Sequence, residues 1–447
     1  MFKLMIKVAD FIVKCGYINV ATEKNHMKQR IEHSLEAITL SLCILLIWNS
    51  INLLSKNFFY LSSIFLIIYI ITTILIYYNN LSNGFEHGIL FGDVLNSHFC
   101  DEYKYYVDSD ILLNHLRSGE ITQWINKELP IYEFVDFSGH ASYGNYNIFV
   151  ILLTILKSIK INSTLDLILI KLIVYIPTSI YFYKLSKIYL SEKLSLISLS
   201  LFSLLPGYIL CNSLLMRDNI IIGMIVIIFY YIFSRKINYK SIILILLISL
   251  LLLEFRSYLI LVIIATLLFT FKNSKSIFKF NDLIYFMAII GTIYFFVNFN
   301  FQLNHSNTFF SFFQITYLQE IFKMQFGTGI SMLFKLFYQL ILHIIYNPPY
   351  LNFLGSGLIY LILYSIGNIV GTILTLICCL AFIYFIIKIK DSKLIYLFKF
   401  TAYFTILTGL IVLAKDLFII HRITLMWLPL FIIILLYSIN EIKNKKL

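Results

Sequence analysis

Apolar residues run through this chain in long blocks separated by short polar turns. The blocks lie near 36–54, 58–78, 165–183, 194–212, 218–233, 241–253, 257–271, 283–298, 358–386, 394–413 and 423–438. Backbone amides in hydrocarbon must bond within their own segment, so blocks this greasy predict helices rather than loose strands. Several fall short of the roughly 20 residues that a crossing needs. Their ends must therefore recruit flanking polar residues. At the amino terminus Lys3, Lys7, Asp10 and Lys14 step by four, three and four. That spacing collects the charges on one face of a helix, with Phe2, Met5, Ile6, Ala9, Phe11, Ile12 and Val13 filling much of the rest, a pattern suited to the membrane interface.

Composition turns the helix pattern into a fold class. The 447 residues are 60% hydrophobic and 13% charged, with a mean hydropathy of +0.86. A soluble globule is excluded, and the expected fold is an all-α, polytopic integral membrane protein. The formal net charge of +12 fits the inner face of a membrane better than a nucleic-acid partner, and none is expected. Six cysteines, at 15, 43, 100, 211, 378 and 379, have no metal-ligand spacing; the adjacent pair lies in an apolar helix and reads as packing. No cleavable signal segment, glycine-rich phosphate loop, internal repeat or soluble domain is expected.

One stretch breaks the greasy pattern. Between Asn79 and Ser142 the chain is polar and carries ten Asp or Glu against three Lys or Arg. It contains Gly92-Asp93 and the run Asp101-Glu102-Tyr103-Lys104-Tyr105-Tyr106. Carboxylates gathered in one long segment beside a membrane suggest chemistry at the bilayer surface. Tyr105 and Asp108 follow Asp101 by four and seven residues, so a helix there places all three on one face. A solvated loop helix would account for the same acids.

Charge in the tight loops sets orientation. Residues 184–193, 234–240, 272–282, 388–393 and 441–447 hold 15 Lys or Arg and four Asp or Glu, which assigns them to the cytoplasm. The turns Asn212–Asp218, Glu254-Phe255-Arg256 and Lys415–Arg422 then face outward, together with the aromatic-rich segment 299–357. The acidic stretch joins them if 143–156 lies along the surface. Two crossings from a cytoplasmic amino terminus would instead leave it inside, unless one early block is not a full span, the terminus is outside, or 143–156 crosses. The chain uses only six arginines, at 30, 117, 217, 235, 256 and 422. Four fall on the proposed outer face, three of them at helix ends. Guanidinium forks bind phosphate bidentately and keep their charge, so Arg217, Arg256 and Arg422, with His421 and Tyr105 beside them, are candidates for a lipid phosphate. Snorkelling, a Glu254–Arg256 pair and helix capping by Asp218 would explain the same residues without a ligand.

The order of these motifs resembles a known family. Asp101-Glu102-x-x-Tyr105, a helix and Gly119 look like the first outer loop of GT-C membrane glycosyltransferases. Ser142-Tyr143-Gly144-Asn145-Tyr146 then opens an apolar surface helix, a crossing ends in Tyr183-Lys184-Leu185, and Pro206 precedes Leu215-Met216-Arg217-Asp218-Asn219. The resemblance covers roughly residues 90–235 and extends to O-antigen-type polysaccharide polymerases, which are similarly hydrophobic with large outer loops. No counterpart of the peptide-recognition motif of oligosaccharyltransferases is present. The resemblance implies a GT-C-like architecture of about 11–13 transmembrane helices with a large first outer loop, set multi-pass in the bacterial inner membrane. It implies a glycosyltransferase using an undecaprenyl-linked donor at the outer face, in surface polysaccharide assembly, beside other membrane proteins of that process. Polymerisation and single-sugar transfer both remain open. The implied catalytic acids are Asp101, Glu102, Asp93 and Asp218, with Asp101 first choice as base. Asp101 and Asp218 could also hold a divalent cation, Mg or Mn.

The expected division is 1–78 (interfacial helix and hairpin), 79–164 (acidic outer loop), 165–298 (transmembrane core), 299–357 (second outer loop) and 358–447 (last transmembrane helices). The alternative function is a flippase for lipid-linked oligosaccharide or another transporter. Such proteins place ionisable groups near mid-membrane and often show repeated halves. Here acids and arginines crowd at helix ends.

Overall fold

The computed structural model describes residues 55–83, 101–126, 128–129, 146–234, 239–271, 359–386, 392–414 and 421–444. The amino-terminal interfacial helix, the blocks at 36–54 and 283–298, the segment 299–357 and Asp93 lie outside them. The described residues form only helices and turns. In chain order these are α1 (Lys56–Ser82), α2 (Asp101–Arg117), α3 (Ile121–Ile125), α4 (Ile148–Ser158), α5 (Thr164–Lys171), α6 (Tyr175–Ser186), α7 (Glu192–Ser203) and α8 (Pro206–Ser213). They continue with α9 (Asp218–Ser234), α10 (Tyr239–Phe271), α11 (Ile359–Ile386), α12 (Ser392–Ala414) and α13 (His421–Asn444).

Local chemistry marks the ends. Ser55 caps α1 by accepting from the Phe58 amide, Asn147 caps α4 through Phe149 and Val150, and Ser163 caps α5 through Asp166. Each side-chain oxygen satisfies an amide that the helix itself leaves unpaired. Gly119, with φ of +89°, follows the end of α2 in the left-handed region that glycine enters without steric penalty. A single 3₁₀ turn, Leu172–Val174, joins α5 to α6.

Among the described residues, four stretches are long and apolar enough to cross a membrane: Lys56–Ser82, Thr164–Ser186, Ile359–Ile377 and Arg422–Ile442. A fifth is available if α7 and α8, bent by 61°, count as one. That bend divides the apolar block 194–212. Proline has no amide to donate and disfavours helical geometry in the residue before it; Leu205 is accordingly extended (ψ 122°) and Pro206 opens α8. α10 is broken at Arg256, whose backbone (φ −155°, ψ 88°) leaves the helix, where the sequence placed a polar turn. Of the other apolar blocks within the described residues, 218–233 forms the 17-residue α9, 241–253 and 257–271 lie on either side of the break in α10, and 394–413 lies in the 23-residue α12. The molecule is thus a helical protein with several membrane-length apolar helices.

α13 is the most enclosed of the candidate spans and α1 the least. α13 packs along α11, α6 along α9, α10 along α12, α8 against α11, and α2 along α4. Phe229, Phe233, Phe400 and Phe404 interlock between α9 and α12, mostly edge to face, a geometry that aromatic rings favour. α2 is fastened to α4 by buried Lys157. Its Nζ donates to the Tyr106 carbonyl at 2.8 Å, pairs with Asp110 at 2.8 Å and lies 3.4 Å from the Tyr106 ring centroid. Thr154 Oγ1 adds a bond to the Ser109 carbonyl.

α8 and α11 touch backbone to backbone. A Cβ built on Gly367 would lie 2.9 Å from the Gly207 nitrogen and 3.0 Å from its Cα. Main chain cannot swing aside as a side chain can, so Gly367→Val must push the helices apart. The expected loss is about 1–3 kcal/mol of stability, read as a lower unfolding midpoint of the detergent-solubilised protein. An unchanged midpoint contradicts this close approach.

Candidate active site

Five element ends meet at one place: the start of α2, the end of α5, the break between α8 and α9, the break in α10 and the start of α13. Their charged side chains come together although they are separated by up to 321 residues.

Asp218, the first residue of α9 and 1% exposed in its side chain, is the hub. Its Oδ1 accepts from Arg256 Nη2 at 2.7 Å; its Oδ2 accepts from Arg422 Nε at 3.0 Å and Nη2 at 2.8 Å. Arg422 Nη1 then donates to Asp101 Oδ2 at 2.8 Å. One guanidinium therefore bridges the acid of the early polar stretch to the acid after the helix break. Arg256 also donates to the Tyr258 hydroxyl at 3.2 Å. Such charge-assisted bonds are short and directional. Of the two aspartates, Asp101 keeps contact with the surroundings, at 22% side-chain exposure.

Arg217 behaves differently from the other two arginines. The residue is 9% exposed, its guanidinium stands 5.9 Å from the Tyr105 ring centroid, and no described residue accepts from its Nε. It directly precedes α9, whose amino-terminal dipole favours negative charge. A buried guanidinium donor with no acceptor costs free energy, which an incoming anion would recover.

The neighbours set the protonation. Glu102 is 1% exposed and its Oε1 accepts from the Leu215 amide at 3.0 Å. Burial pushes its carboxyl up to about 8, against opposing pulls from the Leu215 bond, Lys171 and Arg422. Burial likewise pushes the Tyr105 phenol up to about 12, so both are neutral at pH 7. Lys171, 7% exposed, donates to the carbonyls of Cys211, Leu214 and Met216. With Glu102 protonated, the four cations Arg217, Arg256, Arg422 and Lys171 face two ionised carboxylates, Asp101 and Asp218. Even with Glu102 ionised, these four basic side chains outnumber the three carboxylates of the described residues here.

The raised Glu102 pKa has a signed consequence. Folded protein holds this proton up to about pH 8, whereas the unfolded chain releases it near 4.5. The folded state thus binds more protons throughout that window, and stability falls as pH rises through it. The contribution is complete below the lower value and gone above the upper one. Glu102→Gln should flatten this decline. Unfolding midpoints measured from pH 4 to 9 check it; parallel curves for variant and parent would contradict it.

Of the residues singled out in the sequence, Asp101, Glu102, Tyr105, Arg217, Asp218, Arg256 and Arg422 lie together here. Asp93 and the His421 side chain lie outside what is described. The divalent cation considered for Asp101 and Asp218 does not fit this arrangement, because the Arg422 guanidinium stands between the two carboxylates. Among the described residues no group of three His, Cys, Asp or Glu converges, and Mg or Mn favours a shell of about six oxygens. Sequence reasoning missed Lys171 and Tyr258. A lysine interrupting the apolar run 165–183 was the signal for the first, since ionisable residues inside candidate spans have partners or functions; nothing local marked Tyr258.

No protein-family model, no curated protein and no solved structure matches this chain.

Proposed function

We propose that this protein is a multi-pass membrane glycosyltransferase that takes a sugar or oligosaccharide from an undecaprenyl-linked donor at the outer face of a bacterial inner membrane. The reading rests on one observation: the Asp101–Arg422–Asp218–Arg256 chain of ion pairs beside the unmet Nε donor of Arg217. Ionised groups taken out of water seldom stabilise a fold as well as packed apolar residues of the same volume do. In a chain with so few charges, gathering seven ionisable residues from distant helices suits a ligand of matching charge better than it suits stability. A surplus of basic over acidic side chains suits a lipid-linked phosphate or diphosphate.

The chemistry divides among these residues. Asp101 accepts the proton of the acceptor hydroxyl, and the resulting oxygen attacks the anomeric carbon of the donor. The bond from that carbon to the lipid phosphate oxygen breaks, and its electron pair leaves with the phosphate. Arg217 and the start of α9 stabilise the charge that develops there. Asp218 orients Arg256 and Arg422, and Arg422 holds Asp101 in place. A GT-C-like arrangement of crossings and a role in polymerising or decorating a surface polysaccharide complete the reading.

The test is sugar transfer from a polyprenyl-linked donor into membrane glycan, with variants at the two aspartates. Asp101→Ala and Asp218→Ala are expected to abolish product at normal membrane insertion. Full activity in both removes the assignment.

A further inference from the structure

The four residues between α8 and α9 carry the site but have no regular structure to hold them. Leu214 is extended (φ −117°, ψ 158°), and the Met216 amide bonds back to the Leu214 carbonyl at 2.8 Å. Arg217 and Asp218 follow directly, so the path of this break decides where both side chains point.

Two side chains from other elements grip it from opposite chemical sides. Lys171, the last residue of α5, donates to the Cys211 and Met216 carbonyls, each at 2.9 Å, and to the Leu214 carbonyl between them. An ammonium has three protons, so all of its donors are engaged by this segment. Two of those carbonyls belong to the last turn of α8 and its C-cap, which have no helical amide ahead of them. Glu102, in the first turn of α2, accepts the Leu215 amide at 3.0 Å. Carbonyls are thus held by a cation and an amide by a carboxyl, with Leu214, Leu215 and Met216 all buried.

We propose that Lys171 and Glu102 form a two-sided clamp on residues 211–216 that aims the Arg217 guanidinium at its anion, making both of them positioning residues rather than ligands or catalysts. This rests on the reading of Arg217 as an anion seat. A saturated Lys171 has no proton left for a ligand, and the role of Glu102 needs an oxygen acceptor, not a charge.

That distinction makes the clamp testable. Full-length protein in detergent is titrated with inorganic pyrophosphate, with binding read from the rise in unfolding midpoint. Lys171→Met should weaken binding by about tenfold or more, the scale of a lost buried hydrogen-bond network. Lys171→Arg should do no better, because a planar fork cannot meet three carbonyls converging on one point. Glu102→Ala should weaken binding similarly, while Glu102→Gln, which keeps the acceptor oxygen, should restore it to about the parent value. Pyrophosphate binding by Lys171→Arg at full strength would reduce the role of Lys171 to its charge and overturn the clamp. So would a loss in Glu102→Gln as deep as in Glu102→Ala.

Two controls separate this from the function on which it rests. Parent protein that does not bind pyrophosphate, or binds it equally well as Arg217→Gln, overturns the anion seat and the aiming role together. Hydrogen exchange of the 211–219 peptide reads the clamp itself, even in variants that bind nothing. Faster exchange in Lys171→Met and Glu102→Ala, with parent-like protection in Glu102→Gln, is expected; unchanged protection in all three overturns it.

Discussion

Arg422→Ala should be the most destabilising single substitution at this site. It removes three hydrogen bonds at once, two to Asp218 and one to Asp101, and leaves a carboxylate that is 1% exposed with half of its compensation. Breaking a buried pair by deleting one partner typically costs about 3–5 kcal/mol, because the remaining charge stays buried. Arg256 still holds Asp218 Oδ1, and Asp101 is 22% exposed and so partly screened by its surroundings. The expected loss therefore sits near about 3 kcal/mol. Arg422→Lys should recover little, since a single ammonium cannot span two carboxylates as the fork does. Adding Asp218→Asn to Arg422→Ala should recover part of the loss, and the non-additivity measures the pair directly. Denaturant titration in detergent micelles is the measurement. An Arg422→Ala protein within about 0.5 kcal/mol of the parent, the range of ordinary surface substitutions, would mean that the bridge contributes nothing.

The largest effect on activity is expected at Asp101, with little effect on stability. Asp101→Asn keeps an oxygen that can accept from Arg422 Nη1 but cannot take a proton from an acceptor hydroxyl. General-base catalysis contributes about 10²–10⁴-fold to a rate, so sugar transfer should fall by that factor while the unfolding midpoint moves little. Asp218→Asn should behave in the opposite way, losing stability along with activity, because its carboxylate anchors two guanidinium groups. Steady-state transfer rates at matched protein levels distinguish the two. A fast Asp101→Asn enzyme beside a slow, well-folded Asp218→Asn enzyme would move the base to Asp218. Loss in neither would leave the cluster structural.

Individual residues show how much of this was legible along the chain. Asp101, Glu102 and Tyr105 announced themselves by contrast, as acids and a tyrosine in a polar stretch of a greasy chain. Arg217, Arg256 and Arg422 did so by position, since each falls in a polar turn assigned to the face opposite the lysine-rich loops. The Glu254-Phe255-Arg256 turn marked the break in α10, whereas the block 194–212 read as continuous although Pro206 divides it into α7 and α8. Lys171 went unread because its partners are carbonyl oxygens, which every residue carries and no side-chain pattern reveals. The Arg422 bridge between Asp101 and Asp218 went unread for a similar reason. Two acids look alike on paper whether a metal or a guanidinium stands between them, and only the path of α13 brings Arg422 there.

The division follows the range over which each free energy acts. Burial of apolar side chains and internal bonding of the backbone are settled over a turn or two of helix, so the hydrophobic runs determined helices with membrane-length segments from the sequence by itself. Whether Asp101, Asp218, Arg256 and Arg422 face one another depends on how α2, α9, α10 and α13 pack, including backbone contact at Gly207 and Gly367. That packing joins positions hundreds of residues apart, and only the tertiary structure decided that one guanidinium holds two acids while Arg217 keeps an unmet donor.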